Sequence, residues 1–269
     1  MPTGVKEAKA KENRMTSGLQ SVLKMRIRKI GANMEALVFM QSSWHKGFKM
    51  ARKRVARLMQ EQGLSARRRK KKTRTTNSNH AFPISSNLLK QDFTADVSDK
   101  KWMTDITCID TREGLLFLAG VLDAYSRKIV GWSMDEQHNA ELVQAALRMA
   151  LDQRRPAAGL VHHSDRGSEY ASTSYQLLLQ EHRIIGSMSK KGDCYDNAMM
   201  ESFWATLKAE GCDKKMFSSR KEAKSAVFEY IEVYYNRKRR HSSLGYLSPA
   251  DYEKQGEQGR GEKVPLLDK

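Results

Sequence analysis

Three acidic residues constrain this chain more than any other feature, because each stands in a segment that otherwise reads as rigid, partly apolar structure: Asp105 in WMTDIT, Asp165 in HHSDRGSEY and Glu201 in NAMMESFWATLK. Asp105 interrupts a strand-like run, Trp102 to Ile109, whose apolar and β-branched residues call for burial. Asp165 follows Leu160 and Val161, which places it at the end of a short strand before the turn-rich Arg166-Gly167-Ser168. Glu201 falls in a helical stretch, 196–210, with Met200, Phe203 and Leu207 as its apolar stripe and Asn197, Glu201 and Lys208 on a neighbouring face. Any fold for this chain must therefore carry one acid on a strand, one at a strand end and one on a helix.

Carboxylates in such places need partners. Two like charges about 4 Å apart repel by roughly 4 kcal/mol at an effective dielectric of 20, so a cluster of three requires protons or a hard cation. Oxygen ligands without Cys or His favour Mg²⁺, or Mn²⁺, over Zn²⁺. Singly, each acid also suits an ordinary turn or surface carboxylate; what sets them apart is the sequence around them.

The surrounding pattern is α/β. Strands are expected near 101–109, 114–122 and 127–134, and a helix near 139–153 with Leu142, Val143, Ala146, Leu147, Ala150 and Leu151 on one face. A strand near 159–164, a helix near 172–182 and a short strand at Ile184 and Ile185 follow. Ser219 with Glu222 reads as a capping box opening a long last helix, with Ala223, Ala226, Val227, Tyr230, Ile231 and Tyr234 as its stripe.

Charge is distributed unevenly. Residues 1–80 hold 21 Lys and Arg against 4 Asp and Glu, while residues 81–269 hold 27 of each, so the whole surplus of +17 is amino-terminal. Such a segment suits polyphosphate binding by counterion release, and a solvated basic arm is the plainer reading. Candidate DNA contacts are Arg52, the residues Lys53, Arg54 and Arg57 on a helix expected over 53–62, then the run Arg67, Arg68, Arg69, Lys70, Lys71 and Lys72. On the core, Lys208, Arg237 and Arg240 are further candidates. The expected organisation is a basic segment over 1–72, a Thr, Asn and Ser-rich linker over 73–99, a catalytic core over 100–255 and a frayed tail over 256–269.

Several classes are disfavoured. Three widely spaced cysteines argue against a disulfide framework or zinc finger and for a reducing compartment. The longest apolar run, near Gly114 to Leu122, is far short of the roughly 20 residues of a membrane span. The polar first residues carry no secretory signal, and no G-x-x-x-x-G-K loop is present.

WMTDITCID, LAGVLDAYSRKIVGW, HHSDRGSEYAS, KGDCYDNAMMESFWATLKAE and YYNRKRRHSSLGYLSP, in that order, resemble the transposases of the insertion-sequence three family, OrfB type, within the retroviral-integrase-like superfamily. The resemblance implies a ribonuclease H-like core, a mixed five-stranded sheet flanked by helices, with an acidic triad at Asp105, Asp165 and Glu201. It implies that these three hold two Mg²⁺ ions, Asp105 bridging them, for DNA cleavage and strand transfer at the element's ends. His163 and Asn197 are its supporting candidates, with structural roles as the alternative. Expected partners are double-stranded DNA, further copies of the chain on paired ends and a product of an upstream reading frame; the expected location is the bacterial cytoplasm, on the nucleoid. RKRVARLMQEQGLSARRR resembles the last helix of the family's helix-turn-helix, yet residues 1–48 show no clear partner helix for it. A non-catalytic DNA-binding regulator or decayed copy and a structure-specific nuclease on the same core are the other classes that the sequence leaves open.

Overall fold

The computed structural model describes residues 82–190, 194–212 and 216–261, together with Lys53, Arg57, Gln60 and Glu61. The chain divides into two units, Met1–Arg69 and Lys70–Lys269. In the first, the four described residues are helical and exposed, and Arg57 pairs with Glu61 at 3.5 Å across one turn. Arg52, Arg54, Arg67, Arg68, Arg69, Lys70, Lys71 and Lys72 lie outside the described residues.

The second unit is built on β1 (Lys101–Thr111), β2 (Gly114–Asp123), β3 (Ile129–Asp135), β4 (Val161–Ser164) and β5 (Ile185–Met188). The order across the sheet is β3-β2-β1-β4-β5. β1, β2 and β3 form an antiparallel meander, whereas β4 and β5 run parallel to β1. Parallel strands need crossovers, which helices supply: α1 (Ala140–Arg154) joins β3 to β4, and the short α2 (Ser168–Ala171) with α3 (Thr173–Glu181) joins β4 to β5. Beyond β5 come α4 (Ala198–Glu210), α5 (Arg220–Phe228) and α6 (Pro249–Gly261). This is the expected mixed five-stranded sheet flanked by helices.

Alternation along the strands produces two cores, one on each face. Met103, Ile109, Leu116, Leu118 and Leu122 pack against Met200, Phe203, Trp204 and Leu207 of α4 and against α5. Trp102, Ala119, Val121 and Val130 pack on the other face against α1 and α3. The stripe expected on α1 is buried throughout, and Asn139 caps the helix by accepting from the amide of Leu142 at 3.1 Å. The helix lies so close to β3 that a Cβ at Gly131 would stand 2.3 Å from the carbonyl oxygen of Ala146.

Three expectations change. The segment expected as a linker is docked over its described part: Leu89 is buried in the α4-side core, and the Leu88 amide donates to Ser187 Oγ at 3.0 Å. Leu89, with Phe93 and Ala95 packed against the same core, anchors it, and such anchors are too sparse to show a period. The tail expected to fray from 256 is helical to Gly261. Glu253, buried, accepts from Arg154 at 2.6 Å, from Lys128 at 2.8 Å and from Ser126 at 2.8 Å, and Arg154 also bonds Asp99 at 2.9 Å and the fully buried Asp123 at 3.1 Å. Third, the long last helix keeps its Ser219 cap, but over Glu229–Tyr235 it widens to π geometry, with Asn236 donating to Ile231 at 3.1 Å. The wider turn moves the buried stripe by one residue, so Tyr235 rather than Tyr234 enters the core.

Candidate active site

Asp105 sits in the middle of β1, paired with Gly120 of β2. On a strand, Asp105 shares a face with Met103, which is the face α4 covers. Trp204 of α4 lies over Gly120, where a Cβ would meet its ring at 2.8 Å, and its indole Nε1–H donates to Asp105 Oδ2 at 3.0 Å. A glycine at 120 thus opens the space that lets an indole reach the carboxylate.

Asp165 follows β4 directly. The parallel register pairs Met103 with His163, and Asp165 leaves the sheet just beyond the end of β4, next to the middle of β1. The Gly167 amide donates to Asp165 Oδ1 at 2.9 Å, folding the carboxylate over the turn. A Cβ at Gly167 would stand 3.1 Å from that oxygen and 2.6 Å from Glu169 Oε2.

Both aspartates line one cleft, with Ile106, Phe117, His138, Glu169 and Tyr170 among its other walls. Tyr170 is buried and its hydroxyl lies 3.3 Å from Thr104 Oγ1. Burial first, then the charges of Asp105, Tyr175 and Asp165, hold the phenol well above its ordinary pKa, so it stays neutral beside the carboxylates. Glu169 accepts from Ser168 Oγ at 3.1 Å and stands 3.6 Å from His138 Nδ1, while His138 stacks on Phe117 with ring centres 5.1 Å apart.

Glu201 is half-buried on α4 and is not in the wall of that cleft. Its helix is nonetheless tied to β1 on either side of it: Asn197 Nδ2 donates to the Thr104 carbonyl at 3.1 Å, and Trp204 reaches Asp105. Among the described residues no three His, Cys, Asp or Glu side chains converge closely enough to hold an ion. The donor set itself, three carboxylates on elements bonded to one another, matches a hard cation.

The supporting candidates fall in different places. His163 is fully buried, and its Nδ1 and Nε2 meet Ser187 at 2.8 Å and Ser189 at 3.3 Å. Burial pulls its pKa down to about 4, so it is a neutral packing residue bonded to those two serines rather than to Asp165. Asn197 is buried at 7% exposure, and its Oδ1 has no hydrogen-bond partner. Lys208 and Arg237 are exposed, as a phosphate contact requires, whereas Arg240 donates to the Tyr246 carbonyl at 3.1 Å. Arg239 in the same basic run is turned inward to Glu210 at 2.9 Å.

Sequence reasoning missed Glu169, His138, Trp204 and Gly120. Glu169 follows Asp165 by four positions within the turn-rich motif, a spacing that signals proximity once the short helix is known. Trp204 read as core, and no pattern shows where an indole N–H ends.

An integrase core domain model matches residues 96–194, and a second integrase core domain model matches residues 182–249. The chain is 48% identical over 206 residues to the insertion element IS600 uncharacterized 31 kDa protein of Shigella sonnei, covering 77% of this chain and 76% of that protein. It is 45% identical over 207 residues to the transposase InsF for insertion sequence IS3A of Escherichia coli K12, covering 77% of this chain and 72% of the relative. Among solved structures, a chain of the simian T-cell lymphotropic virus intasome in complex with PP2A regulatory subunit B56 gamma superposes with a TM-score of 0.51 at 14% identity, over 72% of this chain and 63% of that one. That likeness shows the fold. With relatives this similar over three quarters of its length and an integrase core carried on a ribonuclease H-like sheet, the chain belongs to the insertion-sequence three family of transposases, enzymes of the DDE transposase/integrase class.

Proposed function

We propose that this transposase cuts and joins DNA at the ends of an insertion sequence, with Asp105, Asp165 and Glu201 as the residues that hold two Mg²⁺ ions, or Mn²⁺ in their place. The observation that carries the reading is that Asp105, in the middle of β1, and Asp165, directly after the parallel strand β4, line one cleft. When bound, the ions neutralise charge on the attacking and leaving oxygens of an in-line displacement at a phosphate. The chain's own residues do the rest. Trp204 and Gly167 fix the two aspartates by hydrogen bonds, and Asn197 ties the helix bearing Glu201 to β1. In the cutting step a water is the nucleophile and a 3′-hydroxyl is released; in the joining step that hydroxyl attacks a phosphate of the target strand and displaces that strand's 3′-oxygen, which leaves as a hydroxyl. One site serves both steps, because only the attacking oxygen differs.

Double-stranded DNA, as element end and as target, is the proposed substrate. The basic run from Arg67 to Lys72, the basic residues Arg52, Lys53, Arg54 and Arg57, and the exposed Lys208 and Arg237 supply phosphate contacts. Arg240 belongs with them only through its backbone-tethered guanidinium. Two ends must be cut and joined together, which calls for several copies on paired ends, with an upstream-frame product as a further partner. The place of action is the bacterial cytoplasm, where the DNA lies; among the described residues no helix is long and apolar enough to cross a membrane.

The test supplies a pre-cut element end with target DNA and looks for joined product. Asp105→Asn, Asp165→Asn and Glu201→Gln keep shape but remove a charge, and each is expected to abolish cutting and joining while the protein still retains DNA. Joining at the wild-type rate by any one of them removes that residue from the site. Cutting by the wild type with no joined product would make the chain a nuclease instead.

A further inference from the structure

Trp204 is the one large core side chain of α4 whose polar atom leaves the core and ends on a carboxylate of the site. We infer that Trp204 is a positioning residue for the reaction: its indole N–H holds Asp105, and its ring, seated on Gly120, fixes the height of the helix that carries Glu201. This rests on the assignment of Asp105 and Glu201 proposed above, and deepens it.

Four observations support it. The bond from Nε1 to Asp105 Oδ2 is 3.0 Å long and joins residues 99 apart in sequence, so it is a tertiary link between the strand and the helix. The ring is 4% exposed, too enclosed to swing away without unpacking the core. The strand residue paired with Asp105 is Gly120, and a Cβ there would lie 2.8 Å from the indole, so the absence of a side chain at 120 fits the presence of a tryptophan at 204. Finally, Asn197 makes a second bond from α4 to β1, at the Thr104 carbonyl next to Asp105. Two anchors on consecutive strand residues, seven positions apart on the helix, span about two turns with Glu201 between them. The helix can then neither rotate nor slide along β1 without breaking one of the two.

A donated hydrogen bond favours the ionised carboxylate and limits its rotation, which is the part an outer hydrogen bond plays for an acidic metal ligand. Phenylalanine at 204 would keep most of the packing and lose that bond. The expected consequence is a weaker hold on a divalent cation, by about 10–100-fold, with little change in folding.

The test titrates Mn²⁺ into the full chain, following free Mn²⁺ by electron paramagnetic resonance, and separately measures joining of a pre-cut end against Mn²⁺ concentration. Trp204→Phe should weaken Mn²⁺ binding and move the joining curve to higher Mn²⁺, with rate recovered in part at saturation. Leu207→Val, one turn along in the same core, should lower the thermal midpoint and leave the Mn²⁺ curve in place. If Trp204→Phe does not fold, a benzothienylalanine at 204 keeps the ring shape and deletes only the N–H. Unchanged Mn²⁺ binding in the N–H-deleted protein, or an equal shift in Leu207→Val, overturns the inference. Asp105→Asn separates the two readings: if it abolishes Mn²⁺ binding while the loss of the indole N–H does nothing, only Trp204 is misassigned, whereas unchanged Mn²⁺ binding in Asp105→Asn overturns the metal assignment beneath it.

Discussion

Gly167 donates its amide to Asp165 Oδ1 over 2.9 Å, and the space above its Cα is filled by that oxygen and by Glu169 Oε2. The φ of −66° at Gly167 suits any residue, so the glycine is there for room rather than for backbone freedom. Gly167→Ala should therefore fold normally and lose activity, because its methyl displaces two carboxylates of the cleft. A displacement of about 1 Å at a reacting centre costs on the order of 10²-fold in rate. Joining assays alongside circular dichroism melting check this; wild-type joining by the alanine variant would show that Asp165 has more latitude than the turn suggests.

Acid should destabilise the fold through its buried histidines. Burial, with His163 adding to it, pulls the pKa of His162 down to about 3, and burial with Arg239 and Arg127 does the same for His241, also to about 3. Each contributes stability that is present above the ordinary value of 6.5 and is lost as pH falls toward the folded value. Asp123 works in the opposite sense: burial pushes it up to about 6, so its contribution is present below 3.8 and lost as pH rises through about 6. His163, held down to about 4 by burial, acts in the same sense as the other two. The three histidines outweigh the one aspartate, so the unfolding free energy should fall by several kcal/mol, on the order of 4, between about pH 7.5 and about pH 5. Urea melts at the two pH values measure it, and a flat profile would mean that these histidines take up protons in the folded state.

Arg154 should be among the costliest residues to remove. It bonds Asp99, Asp123 and Glu253 with only 15% of its side chain exposed, so Arg154→Met leaves three carboxylates facing one another. Breaking a buried ion network by deleting one sign costs about 3–5 kcal/mol. Chemical denaturation should show that loss, and limited proteolysis should show α6 cut first, because Glu253 is its anchor.

Replacing Arg67, Arg68, Arg69, Lys70, Lys71 and Lys72 with Gln should weaken binding to any duplex and flatten its salt dependence. The slope of log affinity against log salt should drop by about 0.9 for each phosphate that the protein no longer neutralises. Fluorescence anisotropy over a salt series reads this directly, and an unchanged slope would place the phosphate-binding surface on the core, around Lys208 and Arg237.

The sheet and α1 were legible because burial on one or two faces forces a period: the stripe from Leu142 to Leu151 is visible in the sequence and buried in the fold. Asp105 and Asp165 were legible for the related reason that a charge within such a period has to be satisfied by something. Other features carry no period. Residues 84–95 dock through single anchors such as Leu89, and α6 is polar along most of its length and is held by Glu253 and by close approach of Gly256 to Tyr125. The π stretch at Glu229–Tyr235 follows from packing around Tyr230 and Tyr235, which the helical period of 3.6 residues misplaces by one. The tie from Trp204 to Asp105 depends on where an indole nitrogen comes to rest, which is a property of the packed state.

The link between Asp105 and Trp204 also sets a clock. Synthesis at about 5–20 residues per second separates the appearance of those two residues, 99 positions apart, by about 5–20 s. During that interval the strands β1 to β5 can all have emerged, yet the helix bearing Glu201 has not, and a chain broken off there carries two of the three acids on an uncovered sheet face. A fragment that ends before α4 thus lacks both Glu201 and the tie from Trp204 to Asp105, and on the reading proposed above such fragments are unarmed.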